Sequence, residues 1–380
     1  MDTSLSVGIV TPRYAPAIGG VERHVEAIAR SFAAMGISVE VITTDPTGHL
    51  PAEEIRDGVL VRRFRTFAND SVYFVSPALA RWLLANSQRY DVLHAHSYHT
   101  PLAFQAALAG RRFGLPLVVT PHYHGGGHTW IRQMLHGPYR PIGGWMLHEA
   151  SRIICVTEAE QTLLEADFGT LPTVVIPNAI DVTALTSAKP HPVPETQVTI
   201  LAVGRMEAYK QMDRLIEAMP DLPAEYRAIL IGAGQEYDSL CSRVEALGLR
   251  ERVHMPGHVA HEELLAWYRT ADVFVSMSQH EAFGLTVLEA AAAGAAVVAS
   301  DIPAHREIAR YVAPGRIHYL PTESNHQSLA DAIKTAAALG HAQRVDKWPL
   351  PTWRSVSETI LDCYQSVIGE RSATAHYSPI

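Results

Sequence analysis

The chain has 380 residues, of which 47% are hydrophobic, 18% charged and 8% aromatic, and its formal net charge is −8 at pH 7. This composition excludes long disorder, collagen-like repeats and a disulfide-dense scaffold, and the length predicts two domains, since a domain commonly holds about 100–200 residues. The acidic balance argues against general attraction to nucleic acid.

Strands and helices alternate along the first half. The predicted strands are Val7–Thr11, Val39–Thr43, Val59–Phe64, Val92–Ala95, Leu117–Thr120, Ile153–Val156 and Val174–Ile176. Amphipathic helical runs are predicted at 21–35, 77–86, 101–112 and 158–166. Strands that alternate with helices indicate βαβ units and a parallel sheet.

Three prolines interrupt this alternation at Lys189–Pro194, and their spacing favours an extended linker between domains. The alternation then restarts, with strands at 198–203, 228–231, 253–255, 273–276, 296–299 and 317–319. A last helix, at about 353–368, is predicted to cross back onto the first domain. The predicted domains are 1–186 and 187–350, followed by a closing helix and tail at 351–380. Two such Rossmann-like α/β domains would frame a central cleft.

The cysteines and the N-terminus predict a cytoplasmic location. Cys155, Cys241 and Cys363 are far apart and form no Cys-x-x-Cys pair, so buried free thiols are expected. The first residues lack the basic segment and apolar core of a signal peptide. Peripheral contact with the inner face of a membrane is compatible with the sequence.

The string from Ser278 to Glu289 carries the strongest functional signal. A predicted strand ends at Ser276, a loop carries Glu281, and Gly284 allows a tight turn into the next helix. The amides at a helix start suit an anion such as a diphosphate, and the carboxylate of Glu289 can accept hydrogen bonds from sugar hydroxyls. The alternative is an ordinary strand–loop–helix junction, in which the glutamates only cap the helix and face the solvent. The complete Glu-Ala-Phe-Gly-Leu-x-x-x-Glu pattern argues against this alternative.

Arg205 and Lys210 follow the strand that ends at Val203. A guanidinium fork and an ammonium at one strand end suit two phosphates. They also neutralise the charge that develops on a leaving diphosphate. Alone, this pair is equally typical of a solvated helix start. Lys210 is one of only four lysines, which adds weight to the functional interpretation.

Gly19 and Gly20 lie between the first strand and its helix, where the backbone can approach a ligand closely. They form no Gly-x-Gly-x-x-Gly fingerprint, so a simple turn is equally compatible with them.

Histidine is abundant, with 20 residues. One stretch contains His94, His96, His99, His122, His124, His128, His136 and His148. Two His-x-His pairs at strand ends indicate a metal site and, with it, a metal-dependent hydrolase. The hydrolase barrel would need eight continuous βα units, which the proline segment interrupts. Loop histidines in a polar pocket are the other interpretation, and His122, directly after a strand, is the best functional candidate.

Taken together, these strings resemble the GT4 group of retaining glycosyltransferases, which have the GT-B fold of two Rossmann-like domains. The resemblance covers nearly the whole chain in order. The matching segments are Gly19–Val25, Ala150–Thr157, Ile176–Asp181, Val203–Lys210, Glu281–Glu289 and Trp353–Tyr364. Two positions depart from the pattern: Gln211 stands where a glycine often follows the lysine, and Ala282 where glycine or proline is common.

The resemblance implies a role for each matched position. The donor diphosphate would be held by Gly20, Arg205 and Lys210. The donor sugar would be held by Glu281 and by the backbone of Phe283, Gly284 and Leu285. The ribose and base would be bound by Glu289, His258 and Val259. Catalysis would involve Glu281 and His122, which would support an oxocarbenium-like transition state. The acceptor pocket would include Tyr123, Trp130 and Arg132.

The implied reaction moves a hexosyl or N-acetylhexosaminyl unit from a UDP- or GDP-sugar to an acceptor hydroxyl, forming an α-glycosidic bond without a metal ion or other cofactor. The acceptor class stays open among small molecules, saccharides and lipid-linked head groups. The alternatives are a nucleotide-sugar epimerase or a phosphorylase-like enzyme of the same fold, the metal-dependent hydrolase, and a binding module without activity.

Overall fold

The structure is a computed structural model that describes residues 5–17, 19–67, 74–123, 125, 130–342 and 347–376, with backbone only for 130–136 and 372–376. The chain forms two compact units. The N-terminal unit consists of Met1–Asn178 with Trp353–Ile380, and the C-terminal unit of Ala179–Thr352.

The strands form one sheet in each unit. In chain order they are β1 Ser6–Val10, β2 Ser38–Asp45, β3 Glu53–Arg56, β4 Val59–Arg65, β5 Val92–His96, β6 Leu117–Thr120, β7 Arg152–Cys155, β8 Thr173–Val175, β9 Val198–Val203, β10 Tyr226–Ile231, β11 Val253–Gly257, β12 Val273–Ser276, β13 Ala296–Ser300 and β14 Ile317–Leu320.

The helices fill the connections between strands. They are α1 Gly20–Ala34, α2 Pro77–Asn86, α3 Pro101–Phe113, α4 Trp130–His148, α5 Glu158–Phe168, α6 Val182–Ser187, α7 Asp213–Ala218, α8 Tyr237–Ala246, α9 His261–Thr270, α10 Leu285–Ala292, α11 Pro303–Ile308, α12 His326–Ala337 and α13 Trp353–His376. Among the described residues, no helix is both long enough and apolar enough to cross a membrane.

The N-terminal unit contains an eight-stranded sheet in the order β3-β4-β2-β1-β5-β6-β7-β8. All neighbours pair in parallel except β3 with β4. Among the inner strands, β1, β6 and β7 are largely apolar and buried, as expected for strands with helices on both faces. The edge strand β3 was not predicted, since Glu53–Arg56 is mostly polar and only half-buried.

The closing helix α13 packs on α1 within the N-terminal unit, as the sequence predicted. Val356, Ile360, Tyr364 and Val367 are all buried and recur at the spacing of one helix face. The ring of Tyr364 lies 5.6 Å from that of Phe32 on α1. This contact brings two segments from opposite ends of the chain together.

The C-terminal unit contains a six-stranded parallel sheet in the order β11-β10-β9-β12-β13-β14. The chain moves outward from β9 through β10 to β11, and then returns to build the other half from β12. The strand order therefore reverses between β9 and β12. Ligands of open α/β sheets bind outside the carboxyl ends of the strands at such a reversal.

The division into units differs from the predicted boundary at 186/187. The chain passes between units at 178/179 and again at 352/353. The proline segment Lys189–Pro194 lies inside the C-terminal unit, where the ring of His191 packs against Trp267 with the centroids 4.1 Å apart. Its backbone N–H donates to Thr270 Oγ1 at 2.7 Å. Prolines keep a segment extended, and an extended segment can pack along a helix as readily as it can link domains.

The cysteine prediction needs one correction. All three thiols are free, but only Cys155 is buried, whereas Cys241 and Cys363 are half-buried. Both lie on helices, at positions that only partly face the core.

Gly232 joins the loops that follow β9 and β10 by a backbone contact. The Gly204 N–H donates to the Ile231 carbonyl at 3.0 Å, and a Cβ on Gly232 would lie 1.8 Å from the Gly204 oxygen, at a φ of +148°. A side chain at this position must therefore displace backbone.

We expect Gly232→Ala to lower the free energy of unfolding of the C-terminal unit by about 3–4 kcal/mol, through clash and backbone strain. Gly248→Ala is the matched control, because its φ is +67° and no atom in the described part of the chain lies within 4 Å of its Cβ position. The control should lose only about 1–2 kcal/mol, the cost of a left-handed conformation. Urea unfolding of both variants measures the difference, and equal losses would contradict the contact.

Candidate functional site

Lys210 and Glu281 meet at the strand reversal of the C-terminal unit. Lys210 ends a short 3₁₀ helix, Ala208–Lys210, that follows β9, and Glu281 lies in the loop after β12. The ammonium donates to Glu281 Oε1 at 2.5 Å, and their side chains are only 12% and 15% exposed. A small pocket beside them is lined by Lys210, Gln211, Ser276 and Ser278. The ion pair thus links the two halves of the sheet at the predicted position.

The charge of Glu281 is maintained by its neighbours. Burial alone would raise the pKa of this carboxyl, but the Lys210 ammonium, His305 and the Ser278 hydroxyl offset that effect, and its pKa lies below the ordinary value. Glu281 is therefore a carboxylate at neutral pH. It can accept hydrogen bonds from a polyhydroxylated ligand while it orients Lys210.

His305 lies beneath the loop that carries Glu281. Its Nδ1 lies 2.9 Å from the Ser300 carbonyl, and burial lowers the pKa of its imidazole. Its Nε2 is buried and has no hydrogen-bond partner among the described residues. A Cβ on Gly284, whose φ is +97°, would lie 3.3 Å from His305 Cδ2. A glycine therefore lets the loop pass closely over this ring.

The helix α10 begins directly after Gly284, which as its N-cap has no side chain to bond the first amides. Leu285 is its first residue and is half-buried, whereas the Phe283 side chain is buried and packs near Tyr311 at 6.3 Å. The backbone at 283–285 thus combines a fixed position with a helix N-terminus. This arrangement favours an anionic group.

Glu289 lies on the second turn of α10 and is fixed by Tyr268. The Tyr268 hydroxyl donates to Glu289 Oε2 at 2.7 Å. Tyr268 belongs to α9 and is 1% exposed, so it holds the carboxylate in one orientation. Glu289 was predicted from the sequence but Tyr268 was not, because its position in an apolar helix pattern is typical of a core residue.

Arg205 lies at the exposed rim of this site. Its guanidinium donates to the Tyr209 hydroxyl at 3.1 Å, and the Tyr209 ring stacks on His280 at 4.6 Å. Arg205 is thus anchored near Lys210 while it stays open to solvent. His258 and Val259 directly follow β11 at the outer edge of the sheet, the first exposed and the second buried.

The departure at Gln211 has a backbone explanation. Its φ is +48°, in the left-handed region that glycine adopts most readily. The chain turns there from the 3₁₀ helix into α7, a conformation that a glycine would adopt without strain. Gln211 keeps the same turn at some conformational cost.

In the N-terminal unit, Gly20 is the first residue of α1. It is exposed, and no atom of the described residues lies within 4 Å of its Cβ position. The neighbouring Gly19 is more constrained, because a Cβ there would meet Glu22 Oε2 at 2.2 Å.

His122 joins a histidine cluster at the strand reversal between β1 and β5. His24 of α1, His96 at the end of β5 and His122 after β6 each offer a nitrogen within 4.8 Å of the others. His24 and His96 are buried and His122 is half-buried. His96 and His122 were predicted to lie at strand ends, but His24 was not singled out, although it lies on the buried face of α1.

The neighbouring His94 is buried and has protein partners. Its Nδ1 lies 2.6 Å from the Tyr364 hydroxyl and its Nε2 lies 2.8 Å from Thr120 Oγ1. His148 lies 2.8 Å from the Gly144 carbonyl. His124, His128 and the side chain of His136 lie outside the described residues.

The predicted acceptor residues need a correction. Tyr123 is 1% exposed, its hydroxyl donates to Asp167 at 2.5 Å, and its ring packs against Tyr98 and Phe168. It belongs to the core because the backbone turns at His122 and directs the next side chain inward. The side chains of Trp130 and Arg132 lie outside the described residues.

Two family models match consecutive parts of the chain. Residues 18–184 match the model described as Glycosyltransferase Family 4, and residues 185–345 match the model described as Glycosyl transferases group 1.

Curated relatives match over most of their length. A glycogen synthase of Mycobacterium tuberculosis is 30% identical over 324 residues, which are 77% of this chain and 77% of the relative. A phosphatidyl-myo-inositol mannosyltransferase of Mycobacterium leprae is 29% identical over 388 residues, covering 96% of this chain and 97% of the relative.

Solved structures share the fold at lower identity. A sucrose-phosphate synthase from Thermosynechococcus elongatus has a TM-score of 0.80 at 19% identity and covers 96% of this chain and 100% of its own. The Anabaena protein HepE, in complex with UDP and glucose, has a TM-score of 0.71 at 20% identity. The match covers 94% of this chain and 99% of the HepE chain.

The contribution of the Lys210–Glu281 pair to stability can be measured with a single and a double variant. Lys210→Met leaves a mostly buried carboxylate without its partner, so we expect the free energy of unfolding to fall by about 2–3 kcal/mol. The double variant with Glu281→Gln should recover most of this loss, because no unpaired charge remains. Lys334→Met is the control, since its pair with Asp331 is exposed to solvent and such a pair contributes little to stability. Urea unfolding measures all three, and a loss in Lys210→Met no larger than in the control would contradict the interpretation.

Proposed function

The chain belongs to the family 4 glycosyltransferases, and we propose that it transfers a hexosyl or N-acetylhexosaminyl unit from a UDP- or GDP-sugar to an acceptor hydroxyl with retention of configuration. The product would be an α-glycoside. The observation that carries this proposal is the Lys210–Glu281 ion pair at the strand reversal, with Glu289 on the adjoining helix. Its cation suits a diphosphate, and its carboxylates suit sugar and ribose hydroxyls.

Lys210 and Arg205 are proposed to bind the donor diphosphate. The Lys210 ammonium has three N–H donors, and the bond to Glu281 uses one of them. Two N–H donors therefore remain that could bond to phosphate oxygens. The exposed guanidinium of Arg205 would add a planar pair of N–H donors. The Gly20 backbone is proposed to help from the N-terminal unit. These groups supply the charge stabilisation that a departing diphosphate needs, so the proposal includes no metal ion in the transfer step.

The remaining donor contacts follow from the same loops. Glu281, ionised at neutral pH, would accept hydrogen bonds from donor-sugar hydroxyls, and the backbone of 283–285 would bind the sugar and its phosphate. Glu289, held by Tyr268, would accept the ribose hydroxyls. His258 and Val259 would lie against the base.

The proposed transfer needs no separate base, because the departing phosphate takes the proton of the acceptor. The bond between C1 and the diphosphate oxygen breaks, and its electron pair moves to the phosphate. The acceptor oxygen forms the new bond on the same face of the sugar, and its proton passes to the departing phosphate. His122 is proposed to support the positive charge that develops on the sugar ring.

The acceptor is proposed to bind to the N-terminal unit. Relatives are named for different acceptors, among them phosphatidyl-myo-inositol and cellobiosyl-diphosphopolyprenol. A saccharide or a lipid-linked head group is therefore the acceptor class that we propose, with peripheral membrane contact in the second case. Family membership favours transfer over the alternatives of epimerisation and metal-dependent hydrolysis.

A graded series of variants tests the donor site. Lys210→Ala should reduce kcat/KM by about 10²–10³, the usual cost of removing a charge that stabilises the transition state. Glu289→Ala should raise the donor KM by about 10–100-fold, because bonds to a charged group contribute about 1.5–3 kcal/mol. Tyr268→Phe leaves the carboxylate but loosens it, so its donor KM should rise by only about threefold to tenfold with little change in kcat.

The assay is nucleoside diphosphate release from a panel of UDP-, GDP- and dTDP-sugars. Lys334→Ala, on the exposed surface of α12, is the control and should match the unchanged protein. Unchanged turnover in both Lys210→Ala and Glu289→Ala would overturn the assignment.

Retention is tested on the product itself. The anomeric configuration of the transferred sugar can be read from the one-bond carbon–hydrogen coupling at C1 by NMR, taken immediately after a short incubation. We expect the α configuration from an α-linked donor. A β-linked product would exclude the proposed same-face attack.

A further inference from the structure

Three buried residues connect the loop that carries Glu281 to the end of the neighbouring strand β13. They are Ser278, Ser300 and His305, whose exposed fractions are 1%, 0% and 0%. We propose that His305 is a positioning residue of the donor site, which holds the Glu281 carboxylate in place through Ser300 and Ser278. The proposal rests on the transfer reaction proposed above, and it adds a residue that the sequence pattern did not single out.

Ser278 is the point at which the Glu281 loop is attached to the sheet. Its hydroxyl donates a hydrogen bond to the Glu281 carboxylate, and its carbonyl accepts one from the Ser300 hydroxyl at 2.5 Å. Ser300 is the last residue of β13, so this second bond connects the loop to a rigid strand. The position of Glu281 therefore depends on the orientation of the Ser300 side chain.

His305 contacts Ser300 through a single ring nitrogen. Its Nδ1 lies 2.9 Å from the Ser300 carbonyl oxygen and 3.1 Å from the Ser300 hydroxyl oxygen. The carbonyl can only accept a hydrogen bond, and the hydroxyl already donates its one proton to Ser278. Both contacts therefore require a proton on Nδ1. This N–H fixes the rotamer of Ser300 and directs its hydroxyl toward Ser278.

The other ring nitrogen shows that packing alone does not explain a histidine here. Burial lowers the pKa of His305, so at neutral pH the imidazole carries one proton, on Nδ1, and Nε2 keeps a lone pair. Nε2 is buried and has no hydrogen-bond partner among the described residues. An unsatisfied buried acceptor disfavours folding, and an apolar side chain of similar size would avoid that cost. The bond from Nδ1 is the better explanation of the residue.

The ring also lies directly beneath the start of α10. A Cβ on Gly284 would lie 3.3 Å from His305 Cδ2 and 3.8 Å from Ile308 Cγ1. The backbone of His305 is held from β14, because the Tyr319 hydroxyl donates to its carbonyl at 3.2 Å. His305 is thus held between the sheet and the loop that carries Glu281.

The consequence for the donor site follows from the Lys210–Glu281 bond. The ammonium donates to Glu281 Oε1 at 2.5 Å, so a carboxylate that moves also releases Lys210 from its orientation. Loss of the Nδ1 bond should therefore weaken donor binding without removing any group that contacts the donor. This is the difference between a positioning residue and a catalytic one.

Variants of the full-length protein separate the hydrogen bond from the packing. His305→Leu keeps a similar volume and removes the donor, whereas His305→Asn can place an amide N–H near the position of Nδ1. We expect His305→Leu to raise the donor KM by about threefold to tenfold, the range for one neutral hydrogen bond, and His305→Asn to stay within about twofold of the unchanged protein. His318→Leu is the matched control, because His318 is half-buried and lies next to Tyr319 on β14, on the opposite face of the sheet.

The measurement is the initial rate of nucleoside diphosphate release as the concentration of the accepted donor sugar is varied, with circular dichroism as the check of folding. Recovery in His305→Asn distinguishes positioning from a general loss of stability. An unchanged KM in His305→Leu would overturn the proposal, and so would a loss in His305→Asn as large as that in His305→Leu. If His305→Leu fails to fold, Ser300→Ala removes the same connection and should raise the donor KM over the same range.

A second measurement needs no turnover. The coupling energy between Lys210 and Glu281 is obtained from urea unfolding of Lys210→Met, Glu281→Gln and the double variant, and is then measured again with His305→Leu in the background. We expect the coupling to fall by at least about half, because a carboxylate that moves freely spends less time beside the ammonium. An unchanged coupling would overturn the positioning role even where transfer is observed. Absence of turnover in the unchanged protein, with the coupling reduced as expected, would instead contradict the proposed function.

Discussion

In each sheet the strand order reverses beside the unit's first strand, and this reversal decides where distant polar side chains can meet. In the C-terminal unit, β9 leads outward to β10 and β11, and the chain then begins again at β12. The loops after β9 and β12 diverge, which leaves an indentation at the carboxyl end between them. Lys210 comes from one loop and Glu281 from the other, so the reversal places an ion pair where a ligand would bind.

The two units use the same topology for different chemistry. The C-terminal reversal holds opposite charges, and the Lys210 ammonium keeps Glu281 ionised against the effect of burial. The N-terminal reversal holds imidazoles, and burial keeps His24 and His96 neutral. The C-terminal reversal therefore offers a cation that would suit a phosphate. The N-terminal reversal offers neutral nitrogens, which would suit uncharged hydroxyls.

Sequence pattern predicted nearly every strand of both sheets because buried parallel strands are short, continuous apolar runs. It failed where the local pattern was ambiguous. The helix α4 was missed because Pro138 and Pro141 lie inside it, and β3 was missed because it is polar. The unit boundary was misplaced because an extended proline segment looks the same whether it links domains or packs on α9. Tyr123 was predicted to line the acceptor pocket, but its ring lies in the core and its hydroxyl donates a hydrogen bond to Asp167.

The sequence by itself determined the two Rossmann-like units and the local strings that carry Lys210, Glu281 and Glu289, because turn glycines, strand ends and helix starts are written in neighbouring residues. Only the tertiary structure decided which of these groups touch. The bond from Tyr268 to Glu289, the convergence of His24 with His96 and His122, and the burial that keeps those imidazoles neutral all join residues far apart in the chain. Such contacts depend on strand order and on how helices pack over the sheet, and no local pattern encodes either.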